Sequence, residues 1–272
     1  MPSASELIEA ARCIERTGQE YTTSFFATNA KIEAWCATAT LSMLQYKRAL
    51  LVLRRDGEFV RVHHIASDEV SLSTALGALV EKMRDGVLVA DLVGKPNDLA
   101  RIIDVYRRHG FAPYTRLIRM HRLGPHSAAT SQQADVEVAG SEDVPLLRAF
   151  MQRWLDPLSE QIQDLEQLRD SVSMNAVLVI RQGRDLAGIL IHETVGLSTQ
   201  LRYWHVAGNQ HGHGIGSRLM RTFLARCALS RRISLWVIAD NASAIAKYHH
   251  YGFREDGLVD EIMVRQPEQA TQ

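Results

Sequence analysis

An apolar strand, Leu201 to Ala207, runs without a break into a turn with glycine at 212, 214 and 216. The turn opens an amphipathic helix in which Leu219, Met220, Phe223, Leu224 and Cys227 recur at helical spacing. Glycine lets the backbone approach a ligand closely and adopt conformations closed to other residues, so several N–H groups can converge on one concavity. The helix start adds unpaired donors and partial positive charge. That combination suits a diphosphate. Two common nucleotide sites do not fit. A dinucleotide fingerprint starting at Gly212-x-Gly214 needs glycine at 217, where Ser217 stands, and no acidic residue ends a strand at the required distance. A phosphate loop of the Gly-Lys-Ser/Thr kind needs a lysine, and this turn has none.

The rest of the chain reads as two copies of one α/β unit. Gly124 to Gln133 is small, polar and free of apolar periodicity, as a linker is. It separates residues 1–123 from residues 135–272, with 124–134 between. Each side has a strand entering a turn (Ala49–Gly57 and Ala176–Gly183), a second strand, a helix, and a buried strand (Gly86–Val93 and Ile233–Ile238). Each then ends in Tyr-x-x-x-Gly-Phe, at Tyr106–Phe111 and Tyr248–Phe253. The order supports an internal duplication. In the second half the pattern predicts helices over 141–154, 157–172, 214–229 and 241–251. It predicts strands over 176–182, 185–195, 199–207, 233–239 and 258–264. The expected fold class is α/β of the α+β kind: two mixed, mostly antiparallel sheets flanked by helices, in tandem. The first half joins strand to helix through Ile65–Leu72 without a glycine, so it is expected to lack the diphosphate turn, and Tyr106 is expected to be structural.

Formal net charge is zero, with 46% apolar and 23% charged residues, so neither a nucleic-acid nor a membrane partner is indicated. Three scattered cysteines form no ligand spacing, and Cys227 reads as a small buried hydrophobe. The pairs His63-His64 and His249-His250 cannot chelate, because adjacent side chains on a strand or helix diverge. No metal is expected. The N-terminus lacks a basic segment followed by an apolar one, so a cytoplasmic protein is expected.

The turn His211-Gly212-His213-Gly214-Ile215-Gly216, followed by Ser217-x-Leu219-Met220, resembles the GNAT superfamily of N-acyltransferases. That family's loop is Arg/Gln-x-x-Gly-x-Gly/Ala between a strand and a helix; His211 stands where Arg or Gln is usual. A second family pattern, Asn-x-x-Ala-x-x-x-Tyr-x-x-x-Gly-Phe, matches at Asn241, Ala244, Tyr248, Gly252 and Phe253. The resemblance is specific over about 136–265 and weaker over 40–123.

The resemblance implies acetyl-CoA as acyl donor, held by Val206, His211, Gly212, His213, Gly214, Ile215, Gly216, Ser217, Asn241 and Tyr248. It implies direct attack of an amine on the thioester, with a main-chain N–H near Val206 facing the carbonyl oxygen and Tyr248 protonating the leaving thiolate. Glu193, then His205, are the candidate bases; His192 lies on the opposite strand face from Glu193. The expected acceptor is a primary amine of a small molecule. The alternatives are a peptide or protein amine, or a non-catalytic acyl-CoA sensor. A monomer or a homodimer fits two packed halves.

Overall fold

The computed structural model describes residues 2–17, 20–38, 40–124 and 135–267. Apart from Gly124, the expected linker lies outside the described residues. The described chain forms two compact units. One runs to Leu117 and resumes at Gly257; the other is Ile118–Asp256. Among the described residues no helix is long and apolar enough to cross a membrane.

The first unit contains α1 (Ala4–Thr17), β1 (Thr22–Thr23), α2 (Asn29–Ala37), β2 (Leu41–Tyr46), β3 (Ala49–Asp56), β4 (Phe59–Ala66), α3 (Glu69–Lys82), β5 (Val87–Gly94) and α4 (Pro96–Arg108). Its strands are ordered β2-β3-β4-β5-β12, where β12 is Arg254–Arg265, and β1 pairs with β4. Here the boundary departs from the sequence reading, which placed the last strand with residues 135–272. Residues 259–265 pair antiparallel with 88–94 instead. β5 is buried and pairs with β4 over only Phe59–Arg61, so its other edge needs a partner for its N–H and C=O groups.

The second unit takes β6 (Ala112–Leu123) from Ile118 onward, then β7 (Glu137–Val138), α5 (Val144–Trp154), α6 (Leu165–Ser173), β8 (Val177–Gln182), β9 (Asp185–Val195), β10 (Ser198–Val206), α7 (Ile215–Arg226), β11 (Arg232–Ile238) and α8 (Ala242–His250). Its strand order is β6-β11-β10-β9-β8-β7. All pairs among β7 to β10 are antiparallel, and β10–β11 is parallel. The sheet is thus mixed and mostly antiparallel, with helices on both faces. On one face Leu219, Met220 and Phe223 of α7 and Tyr248 of α8 pack on Leu190 and Leu201. On the other, Leu147, Phe150 and Met151 of α5 and Leu168 of α6 pack on Ile189, Ile191 and Tyr203. Full burial of each large apolar side chain contributes about 1.5–3 kcal/mol.

The duplication is visible in the pairing. In each unit a strand, a helix and a strand form a parallel pair only three residues long, 59–61 with 87–89 and 198–200 with 232–234. Half of one predicted helix, that over 157–172, is absent: residues 155–164 form an irregular loop, and α6 follows. Leu155 is already extended, at φ −106° and ψ 145°. Asp156 then draws the next residues into local bonds, from Leu158 N at 3.2 Å and Ser159 Oγ at 2.6 Å. Such side-chain bonds compete with the helical ladder. Asp164 restarts the helix by accepting from the N–H groups of Glu166 and Gln167, while the Gln167 side chain accepts from Asp164 N.

Candidate active site

The site is built where β10 loses its neighbour. The parallel pairing with β11 stops at Gln200 and Ser234, so residues 201–206 part from residues 235–238. On the β9 side β10 stays paired to its end. Ala207 donates to Ala187 O at 2.9 Å, and Val206 lies opposite Gly188. Alternate residues of an antiparallel strand direct their N–H groups to opposite sides, so the Val206 N–H points away from β9, into the opening.

The turn beyond β10 has the form its glycines predict. Gly212 has φ +84° and Gly214 φ +71°, values that residues with a Cβ rarely adopt. Nothing lies within 4 Å of a Cβ placed on Gly212, so open space, not crowding, surrounds it. Gly216 serves a different purpose. A Cβ there would stand 3.2 Å from the Trp204 ring, and Trp204 Nε1 donates to Gly216 O at 3.1 Å. Gly188 likewise admits α7 against β9: a Cβ there would meet Ile215 at 2.7 Å. The first bond that closes α7 runs from Arg218 N to Gly214 O at 3.1 Å, and Gly214 caps the helix without a side chain. Among the described residues, no main-chain N–H between His211 and Ser217 donates a hydrogen bond to the protein.

Two side chains brace the turn. His211 Nε2 donates to Val206 O at 3.1 Å, which fixes that ring's tautomer. Arg218 Nη1 donates to His213 O at 3.2 Å and its guanidinium pairs with Asp135. Neither His211 nor His213 is buried. Asn241 caps α8, accepting from Ala244 N at 3.0 Å, and so places Tyr248 two turns along the helix.

Tyr248 packs its ring 5.3 Å from Trp204 and 5.8 Å from Phe253. Its side chain is buried, and no described residue hydrogen-bonds its hydroxyl. Burial, and then the negative charge of Glu160, push that hydroxyl well above the ordinary tyrosine value. It therefore stays protonated and able to donate. The matching Tyr106 of the first unit is a core residue, sharing a 3.1 Å hydrogen bond with His64 Nδ1.

The two expected bases fall in different places. Glu193 pairs in register with Gln200 and forms a 3.7 Å ion pair with Arg202. Six residues along the strand separate Gln200 from Val206, about 20 Å at strand spacing. His205 is adjacent to the opening, on the α5/α6 face, with ring contacts of 5.9 Å to Phe150 and 6.0 Å to Trp154. Burial first, and then nearby His211, lower its pKa, so His205 is neutral near pH 7. The sequence reading passed over a third group on this face. Glu160, in the 155–164 loop, is half-buried; burial raises its pKa, a bond from Asp156 N offsets part of this, and the Asp156 charge adds to it. Its signal in sequence was weak, because a lone acid in a stretch mistaken for helix reads as a solvated residue.

The fold and the turn together define a mixed α/β domain whose parallel strands part beside a helix N-terminus without a side-chain cap. Residues 145–253 match the model of the acetyltransferase (GNAT) family, and this part of the chain is a GNAT domain. No curated protein sequence matches the chain. Solved structures share the fold across nearly all of it. A tandem GNAT protein from the clavulanic acid biosynthesis pathway is similar at TM-score 0.63 and 14% identity, with 99% of this chain and 98% of that one covered. A GCN5-related N-acetyltransferase from Sphaerobacter thermophilus is similar at TM-score 0.59 and 12% identity, covering 89% and 87%. Another from Kribbella flavida gives 0.56 and 15%, covering 96% and 97%. The chain thus has the tandem GNAT fold.

Proposed function

We propose that the second unit transfers the acetyl group of acetyl-CoA directly to the primary amine of a small molecule. The observation that carries this reading is the cluster of uncommitted amides from His211 to Ser217, beside a strand pair that has parted. Those amides and the start of α7 would hold the pyrophosphate. The opening between β10 and β11 would take the pantetheine arm, leaving the thioester beside the Val206 N–H, which stabilises the developing oxyanion. Collapse of the adduct expels a thiolate, and Tyr248 supplies its proton. The acceptor would come from the α5/α6 face, past His205 and Glu160. A screen of amines with acetyl-CoA, reading released CoA, tests the reading. Turnover with at least one amine is expected; tight CoA binding without thiol release across the panel would favour a sensor instead.

A further inference from the structure

The first unit contains a counterpart of the opening beside β10, and two pairings fix the correspondence. Val206 lies opposite Gly188, and Ala207 N donates to Ala187 O at 2.9 Å. Ala66 likewise lies opposite Ala49, and Ser67 N donates to Arg48 O at 3.0 Å. Ala66 is thus the counterpart of Val206, and His64 of Trp204. The parallel pairing of β4 with β5 also stops early, at Arg61 and Val89, so residues 62–66 lose β5 as a neighbour. Here the edge is not left open. β1 joins it antiparallel, with Thr22 opposite Ala66 and Thr23 opposite Ile65. The next residue extends the contact: Ser24 N donates to His64 O at 3.0 Å, and His64 N donates to Ser24 Oγ at 3.0 Å. Thr23 Oγ1 donates to the same carbonyl at 3.0 Å. The alternation that aims the Val206 N–H into the opening turns the Ala66 N–H away from β3, toward Thr22.

The counterpart of Tyr248 is engaged as well. Tyr106 shares a 3.1 Å hydrogen bond with His64 Nδ1, and His64 Nε2 shares one of 3.1 Å with Thr22 Oγ1. One imidazole therefore links the tyrosine to the inserted strand, and Ser24, His64 and Tyr106 are all buried. Resting on the acyl-transfer reading above, we propose that residues 22–24 are the resident occupant of the first unit's donor slot. They take the place that the pantetheine arm would take in the second unit, so the chain holds a single acyl-CoA. Pantetheine is an extended chain with amide groups, and it needs unpaired N–H and C=O groups along a strand edge. At His64 both are already spent. The segment is also tethered on both sides, between α1 and α2, so it reaches the edge intramolecularly, which favours it over a ligand from solution. This closure is independent of the missing glycine turn. A donor without phosphates would be shut out too.

Residue-resolved hydrogen exchange on the full chain tests the assignment, with CoA and with S-acetylpantetheine, which lacks the diphosphate and so makes no use of the turn. The amides of His64 and Ala66 are expected to exchange slowly in the free chain and to be unchanged by either compound. The Val206 amide should exchange fast in the free chain and be slowed by both, and calorimetry should give one CoA per chain. Ser24→Ala removes the acceptor of the His64 N–H and should speed exchange there about tenfold, the scale of one hydrogen bond. Fast exchange at His64 and Ala66 in the free chain would overturn the proposal, as would two CoA per chain or no change at His64 in Ser24→Ala. Slowing at both Ala66 and Val206 by S-acetylpantetheine would also overturn it, since the slot would then be open and only the turn missing. Slow exchange at His64 and Ala66 with no effect of either compound at Val206 would leave the strand in its slot and sink the acyl-transfer reading instead.

Discussion

Two glycines with nearly the same φ separate the proposed donor-binding role of the turn from its structural cost. Gly214, at the mouth of α7, has φ +71°, and Gly183, in the turn between β8 and β9, has φ +64°. A Cβ on Gly214 would meet nothing closer than Arg218 Nη1 at 3.9 Å, and on Gly183 nothing within 4 Å. Alanine at either site therefore costs only the left-handed backbone penalty, about 1–2 kcal/mol. In Gly183→Ala this appears as a melting temperature lowered by about 2–8 °C, at 2–4 °C per kcal/mol for a domain of this size, and the Kd for CoA stays at the wild-type value. In Gly214→Ala the turn either pays the penalty in the bound state or relaxes away from it. Because the free turn is open and can relax, binding must restore the left-handed conformation, and calorimetry should show CoA binding weakened about 5- to 30-fold, the same 1–2 kcal/mol expressed as an equilibrium. A Gly214→Ala protein that binds CoA like wild type, while Gly183→Ala shows its thermal shift, would refute the claim that the left-handed turn aims the amides at a diphosphate.

Tyr248→Phe is expected to cut kcat about a hundredfold with CoA affinity retained in calorimetry; equal kcat would remove the hydroxyl from the chemistry. Asp68→Ala in the first unit should lower stability by about 1 kcal/mol through loss of a helix cap, read by denaturant melting, and leave CoA binding untouched. His192 is half-buried beside Phe223 with neither ring nitrogen bonded, and burial lowers its pKa from 6.5 to about 4. The unfolded chain thus binds more protons between those values, and the folded state loses stability as pH falls through that window. His63, at about 4, and His64, at about 3, act in the same sense, while Asp260, held well above its ordinary value by burial, acts in the opposite one. The clean measurement is therefore the difference in melting temperature between His192→Leu and wild type, which should grow in the variant's favour from pH 7 to pH 5.

What could be read from the residues alone was what local chemistry dictates. Alternating glycines at a strand end have few uses, and φ +84° at Gly212 and +71° at Gly214 meet that expectation. The strands of the second unit fall within a few residues of their expected places because their apolar runs are bounded by turns, as at Gly183 and Gly196. Long-range choices were not legible. The pattern at 258–264 marks a strand, but nothing in it names β5 as partner, since pairing depends on which edge is left open elsewhere. The 155–164 loop was misread because Pro157, Leu158 and Ile162 suggest a helix, whereas tertiary bonds from Arg148 and Tyr203 capture its carbonyls. Glu160 was overlooked for the same reason: its meaning depends on what β10 and the loop bring together.

The two units also show how one helix start can be finished in two ways. After β4, Asp68 turns its carboxylate onto α3 and accepts from Ser71 N at 2.7 Å and Ser71 Oγ at 3.1 Å. Bonds from Ser67, foremost, and from Ser71 hold that carboxyl below its ordinary pKa, so the charge is permanent at neutral pH. The positive end of α3 is thus satisfied from within the chain. After β10 the same place in the repeat is held by Gly214, which has no side chain to offer, and the amides of the first turn of α7 are left to find an anion elsewhere. A carboxylate there would compete with any diphosphate for the same donors and add like charge beside it. The absence of an acid at 214, as much as the glycines at 212 and 214, therefore leaves the helix start of the second unit, unlike that of the first, open to an anion.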